Sequence, residues 1–243
     1  NTQKNLNDYP TKSLIKLDES FALETANLIN KLLTKLNINK NLVHAIGSHG
    51  QTIQHFPRID KPYSLQIGNP RIISKVTGIK TVGNFRKANI EHGGIGAPLT
   101  PAFHKEIFFS KKLNRVIINI GGITNITRLI PGKKIIGWDS GPGNCMIDQC
   151  VKEFSSNKMQ FDDKGRIAKK GNANALIKEI NKVLSMSYFQ ENLPKSQSTI
   201  NFNFNKLSKS NLNKYSFADW AAAMTEITAL SIVKDVDKFC NAD

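Results

Sequence analysis

The chain has 243 residues, 40% hydrophobic and 22% charged, enough for one large or two modest domains with a real core. Its 34 Lys and Arg against 19 Asp and Glu give a net charge of +15; the lysines are scattered and not interleaved with aromatics, so no nucleic-acid partner is expected, and the basic surface is read as solvated, with some pull on anionic substrates. No run approaches the roughly 20 apolar residues of a membrane helix, the first residues have no apolar secretory core, and three cysteines (Cys145, Cys150 and Cys240) without metal-ligand spacing fit a reducing cytoplasm and argue against a zinc site.

In chain order, Asp18 to Leu36 reads as a helix. Asp18 stands as its N-cap, and Phe21, Leu23, Ala26, Ile29, Leu33 and Leu36 recur at near-helical spacing. Leu42 to Ile46 reads as a short buried strand ending in Gly47-Ser48-His49-Gly50, and Leu65-Gln66-Ile67 as another, closed by Gly68-Asn69-Pro70. Arg71 to Thr77 is a short helix and Lys80 to Gly83 a strand; His92 to Pro98 is a glycine-rich loop feeding a helix that starts near Thr100. Arg115 to Ile120, "RVIINI", is the clearest strand. It runs through Gly121 and Gly122 to a hairpin partner at Ile126 to Ile130, and Ile135 to Trp138 follows as the next strand. Pro142 suits the first position of a helix whose apolar face is Met146, Ile147, Cys150, Val151 and Phe154. Asn174 to Leu184 is helical. Ser216 to Phe239 is a long helix with Ser216 and Asp219 at capping-box-like spacing and a buried alanine-rich half around Trp220. Strands and helices mixed in this way indicate an α/β protein, with glycine turns at strand ends where such folds place ligands. The natural boundary lies near Ser110-Lys111-Lys112, giving domains 1–112 and 113–243.

Several stretches carry chemistry beside a plainer reading. "NIGGITN", Asn119 to Asn125, carries a strand into paired glycines. Backbone N–H groups in such a turn can cradle an anion, with asparagine amides beside them; the same composition also makes an ordinary hairpin turn. Asp139, in "GWDSGPGN" at Gly137 to Asn144, has glycines clearing the space around it. It reads as a general base toward water or a hydroxyl, as a magnesium ligand, or as the N-cap of the helix that follows. His49 holds a sugar hydroxyl or is a satisfied structural histidine. Arg86 binds a carboxylate or phosphate or lies on the surface, and the His92 to Pro98 loop is a backbone-donor pocket or a tight crossing. Lys195-Ser196, after Pro194, is in reach of a bound anion on the weakest of these signals. The chain has no GxxxxGK[ST] loop, no HRD or DFG set, no HExxH and no GxSxG.

Taken in order, these stretches resemble the bacterial anhydro-N-acetylmuramic acid kinases of the hexokinase–actin superfamily. The matching blocks are "AIGSHGQT" at Ala45–Thr52, "SLQIGNP" at Ser64–Pro70, "GGIGAPLTPAFH" at Gly93–His104 and "NIGGITNIT" at Asn119–Thr127. They continue with "GWDSGPGN", "FDDKGRIAKKG" at Phe161–Gly171, "YFQENLPKS" at Tyr188–Ser196 and "DWAAAMTEITALSI" at Asp219–Ile232. The resemblance implies a two-domain hexokinase/actin-like, ribonuclease H-like α/β fold. It implies that ATP and magnesium are used to open the 1,6-anhydro ring of a small amino sugar and to phosphorylate O6, yielding N-acetylmuramic acid 6-phosphate in peptidoglycan recycling. It also implies a cytoplasmic homodimer.

The family's base maps onto Asp139, its second phosphate loop onto Asn119, Gly121, Gly122 and Asn125 with Gly141, and its sugar contacts onto His49, Gln66, Arg86, Gly94 and Gly96. Three positions depart from the family pattern: Asn69 and Asn84 stand where Asp is usual, and Ile95 where Gln is usual. The Gly-Arg-Glu usual after Lys-Ser is not recognisable in Gln197 to Asn201. The family's opening Gly-Thr-Ser-x-Asp-Gly hairpin and its closing adenosine segment are expected to lie outside the chain, so that the fold is incomplete. The alternative is then an inactive remnant or a sugar-binding module without ATP turnover.

Overall fold

The structure, a computed structural model, describes residues 11–56, 62–197 and 199–240. The fold is α/β, and its contacts group into two compact units, divided between Leu99 and Thr100.

In the first unit, helix α1 (Thr11–Lys35) is longer than expected. Residues 11–17 contain neither Gly nor Pro, so nothing stops the helix extending ahead of Asp18. Asp18 is therefore an interior residue, not an N-cap, and its carboxylate accepts the Gly68 N–H at 2.7 Å. Ala22 and Ala26, one helical turn apart, are fully buried against Ile73 of helix α2 (Pro70–Thr77); their small side chains let the two helices approach closely. Helix α2 has a complete set of end signals. Asn69 caps it through the Arg71 N–H, Pro70 opens it, and Gly78 closes it in the left-handed conformation at φ 72°.

The expected strand at Leu42–Ile46 is not formed. Lys40–Leu42 is a 3₁₀ turn capped by the Asn39 side chain, and Leu42 is 74% exposed. The strand is shorter and later, β1 (Ile46–Gly47), and pairs in parallel with β4 (Thr81–Val82). Strand β2 (Gln51–Phe56), whose polar pattern gave no strand signal, pairs antiparallel with β3 (Tyr63–Ile67) through a bulge between Thr52 and Gln54. Helix α3 (Phe85–Glu91) follows Asn84, which sits at φ 59°.

In the second unit, helix α4 (Thr100–Phe108) leads to an antiparallel meander of β5 (Arg115–Ile120), β6 (Ile123–Leu129) and β7 (Ile136–Pro142), in that spatial order. Strand β7 is buried from Gly137 through Pro142. Pro142 therefore ends a strand, paired with Ile123, and does not open a helix; α5 (Cys145–Phe154) begins three residues later. The strand continues through its glycines because helix α8 (Phe217–Cys240) lies close to it. A Cβ on Gly141 would come within 2.9 Å of Phe189 and 3.0 Å of Ser231. Ser140 Oγ donates to the Ser231 carbonyl at 3.0 Å and Thr228 Oγ1 to the Gly143 carbonyl at 2.8 Å, stitching strand to helix.

The main core gathers Met146 and Cys150 of α5, Ile180 and Val183 of helix α6 (Ile177–Leu184), Phe204 of the short α7 (Phe204–Ser208), and Trp220 and Ala221 of α8. Phe204 meets the Trp220 ring edge to face. Ser216 and Asp219 cap α8 reciprocally, the Asp219 N–H donating to Ser216 Oγ and the Ser216 N–H to Asp219 Oδ2. Among the described residues no helix is long and apolar enough to cross a membrane.

Candidate active site

Asp139 lies inside β7, six residues ahead of α5, whose N-cap position is Asn144. The helix-cap reading of Asp139 is thereby excluded. Instead its carboxylate joins a row of side chains crossing the meander. The register sets Asn119 of β5 opposite Asn125 of β6, and Asn125 opposite Asp139 of β7. Asn119 Nδ2 donates to Asn125 Oδ1 at 3.4 Å, and Asn125 Nδ2 makes a short hydrogen bond to Asp139 Oδ1. Adjacent antiparallel strands bring directly opposed side chains together, so one residue from each of three successive strands shares one face of the sheet.

The other carboxylate oxygen is held from a different direction. Ser196 Oγ donates to Asp139 Oδ2 at 2.8 Å and the Gln197 N–H at 2.7 Å. The main chain of Asp139 is fixed too, its N–H donating to the Lys195 carbonyl at 3.1 Å and its carbonyl accepting the Tyr188 hydroxyl. With 7% of its surface exposed, the residue is nearly immobilised. A carboxylate offers about four acceptor positions. Described residues fill three, and the fourth is on Oδ1. Such a group has its orientation set in advance and retains one position for a water or hydroxyl proton.

The paired glycines form the tip of the β5–β6 hairpin, and "GPGN" packs onto it. The Gly143 and Cys145 N–H groups donate to the Gly122 carbonyl at 3.0 and 3.2 Å, and the Asn144 N–H to the Gly121 carbonyl at 2.7 Å. A Cβ on Gly143 would lie 2.2 Å from the Gly121 oxygen. The N–H groups of Gly143, Asn144 and Cys145, which lead into α5, are thus directed at the hairpin, and the exposed residue of the tip is Gly122. Gly141 is buried between Phe189 and Ser231, where the close approach of α8 accounts for the glycine.

Lys195 does not reach toward an anion. Its ammonium is fully buried, 2.8 Å from Asp235 Oδ1, with the ring of Tyr188 4.8 Å away. Burial pushes its pKa down, and the hydrogen bond to Asp235 works against that. Ser196 and Gln197, by contrast, touch Asp139 directly. Sequence reading did not connect either to it: the only signal was their position beside a lysine after Pro194.

The first unit holds the other candidate residues in three groups. Arg86 Nε donates to His49 Nε2 at 2.9 Å, which puts the histidine proton on Nδ1, and that atom lies 3.1 Å from the Gly50 carbonyl. Gln66 Nε2 donates to Ser64 Oγ at 2.7 Å and more weakly to Thr52 Oγ1 at 3.4 Å, across β2 and β3. Gly94 and Gly96 belong to a loop organised by Asn89. Asn89 Oδ1 accepts the Gly96 N–H at 2.8 Å and would lie 2.1 Å from a Cβ on Gly94. Gly96 also needs glycine for its φ of 81°.

A family model described as anhydro-N-acetylmuramic acid kinase matches residues 5–243. Among curated proteins bearing that name, one from Shewanella denitrificans is 39% identical over 227 residues, covering 92% of this chain and 60% of its own length. One from Shewanella woodyi is 40% identical over 225 residues, covering 91% and 60%. One from Coxiella burnetii is 43% identical over 206 residues, covering 83% and 54%. The chain thus spans 54–60% of the length of these relatives.

Proposed function

Because the chain belongs to the anhydro-N-acetylmuramic acid kinase family, we propose that it takes part in ATP-dependent phosphorylation of 1,6-anhydro-N-acetylmuramic acid, with Asp139 as the base. Asp139 takes a proton from water as the water oxygen bonds to the anomeric carbon. The bond from that carbon to O6 breaks, and the freed O6 attacks the γ-phosphate, giving N-acetylmuramic acid 6-phosphate and ADP. The observation that carries the reading is the carboxylate itself: it is held by Asn125, Ser196 and Gln197 with one acceptor position left on Oδ1. A base fixed in this way needs no reorganisation at the moment of proton transfer.

The remaining assignments follow the family blocks. Asn119, Gly121, Gly122 and Asn125, with Gly141 behind them, form the phosphate side of the reading, and the asparagine row together with the exposed Gly122 supports it. His49, Gln66, Arg86, Gly94 and Gly96 are its sugar-side residues; the polarised His49–Arg86 pair suits hydroxyl and carboxylate groups. Magnesium, carried with the nucleotide, would neutralise phosphate charge. The reading also assigns the protein to a reducing cytoplasm, supported by three free, buried cysteines, and to a homodimer, on the family resemblance.

The test is Asp139→Asn in an assay of ADP release that depends on the anhydro sugar. General-base loss should lower turnover by about 100- to 10,000-fold with the fold retained; unchanged turnover would overturn the assignment.

A further inference from the structure

We propose that the buried Lys195–Asp235 pair is a positioning device for Asp139, locking the backbone of residues 195–197 against β7 so that Ser196 and Gln197 aim the carboxylate. The inference rests on the base reading of Asp139.

The geometry forms a closed ring. Asp235, on α8, is fully buried and accepts two hydrogen bonds from two different segments. Trp138 Nε1 donates to Oδ2 at 2.9 Å and Lys195 Nζ to Oδ1 at 2.8 Å. Trp138 immediately precedes Asp139 in β7, and Lys195 immediately precedes Ser196. The Asp139 N–H donates to the Lys195 carbonyl at 3.1 Å, closing the ring between the two segments. One carboxylate on a third element therefore sets the register of the two segments whose meeting makes the Asp139 clamp.

Burying two charges carries a large desolvation cost, and well-packed apolar residues of similar volume often serve stability as well or better. Cation–π contacts offset part of that cost: the Lys195 ammonium lies 4.8 Å from the centre of the Tyr188 ring and 5.6 Å from that of Phe239. What an apolar pair would not supply is direction. Tyr188 joins the same scheme from the other side, its hydroxyl donating to the Asp139 carbonyl. The Asp235 ring and the Tyr188 hydroxyl thus both bear on the main chain at Asp139.

The experiment uses the double variant Lys195→Met/Asp235→Asn in this chain. Met fills the stem volume, and Asn keeps an acceptor for the Trp138 indole without leaving a lone buried charge. Two readouts are taken, amide hydrogen exchange at Gln197 and steady-state kinetics. The expected result is Gln197 exchange faster by roughly tenfold or more while Met224, in the interior of α8, is unchanged. Turnover number should fall by about 100-fold with KM within about twofold, as a misaimed catalytic group predicts. Unchanged Gln197 exchange overturns the proposal, because a pair that serves only core stability does not hold that amide. If wild-type protein shows no turnover but Gln197 exchange still rises in the variant, the positioning role stands and the kinase reading falls. Should the double variant not fold, Asp235→Glu keeps the charge pair and lengthens its anchor by one methylene, and the exchange readout decides in the same way.

Discussion

Replacing Asp139 by Ala and by Asn separates a clamped site carboxylate from a helix cap by stability alone. In the Ala variant the Gln197 N–H and Asn125 Nδ2 lose their acceptor, while the Ser196 hydroxyl can rotate toward another. Two half-buried donors that each lose a charge-assisted hydrogen bond, at about 1–2 kcal/mol each, give a loss of about 2–4 kcal/mol. An Asn at the position can present its oxygen to Ser196 and Gln197, but its NH₂ then faces the NH₂ of Asn125. Relief requires the Asn125 amide to flip and, because Asn125 Oδ1 accepts from Asn119, the Asn119 amide to follow. The Asn variant should therefore cost about 1 kcal/mol, the difference between charge-assisted and neutral hydrogen bonds. A helix cap would instead give about 1 kcal/mol for Ala and almost nothing for Asn. Urea unfolding followed by tryptophan fluorescence suits the measurement, since the chain has two tryptophans and both, Trp138 and Trp220, are buried in the second unit. An Ala variant that loses about 1 kcal/mol or less, with an Asn variant equal to wild type, would refute the clamp.

Other expectations follow from the same geometry. Gly143→Ala places a Cβ 2.2 Å from the Gly121 oxygen, backbone against backbone, and should cost about 3 kcal/mol or more in the same unfolding experiment. Gly132→Ala, at φ 74° in open space, should cost only about 1–2 kcal/mol; equal losses would show that the hairpin tip can move away. Burial pushes the thiols of Cys145 and Cys240 up to about 11 and that of Cys150 to about 12. Because the thiolate is the reacting form, native protein near pH 8 should resist iodoacetamide while urea-unfolded protein reacts fully; rapid native labelling would contradict the burial. The Asn172 N–H, followed by the Ser216 hydroxyl, holds the Asp219 carboxyl below its ordinary value. A depressed folded pKa gives stability that is present above the ordinary aspartate range and is lost as pH falls through the folded value. Wild type should therefore exceed Asp219→Asn in stability near neutral pH and lose that margin below about pH 4; a margin constant with pH would rule the charge out as its source.

The second unit was the more legible from sequence, for physical reasons. "RVIINI" is a strand by its β-branched run, and α8 announces itself through Ser216, Asp219 and the alanines around Trp220, all of which take the expected places. Local signals were weaker where side chains from distant elements decide the outcome. Asp139, Gly141 and Pro142 looked like a turn and a helix start because glycine and proline usually punctuate. They are strand residues because Ser231 and Phe189 press closely on that strand. Strand β2 was missed because its partner, β3, supplies the pairing and its own pattern is polar. Lys195 read as a cation in reach of a bound anion, since its partner Asp235 lies 40 residues away. Within the candidate site, Asn119, Asn125 and Asp139 were each legible, but the register that aligns them and the clamp from Ser196 and Gln197 depend on contacts no local pattern encodes.

The most direct test of the central claim is to incubate the protein with 1,6-anhydro-N-acetylmuramic acid, ATP and magnesium in heavy-oxygen water and to locate the label in the products. A base at Asp139 that activates water predicts a sugar 6-phosphate carrying the heavy oxygen at its anomeric carbon and none in the transferred phosphate, with both label and product lost in Asp139→Asn. Heavy oxygen appearing in the phosphate, or an unlabelled sugar phosphate, would contradict the account.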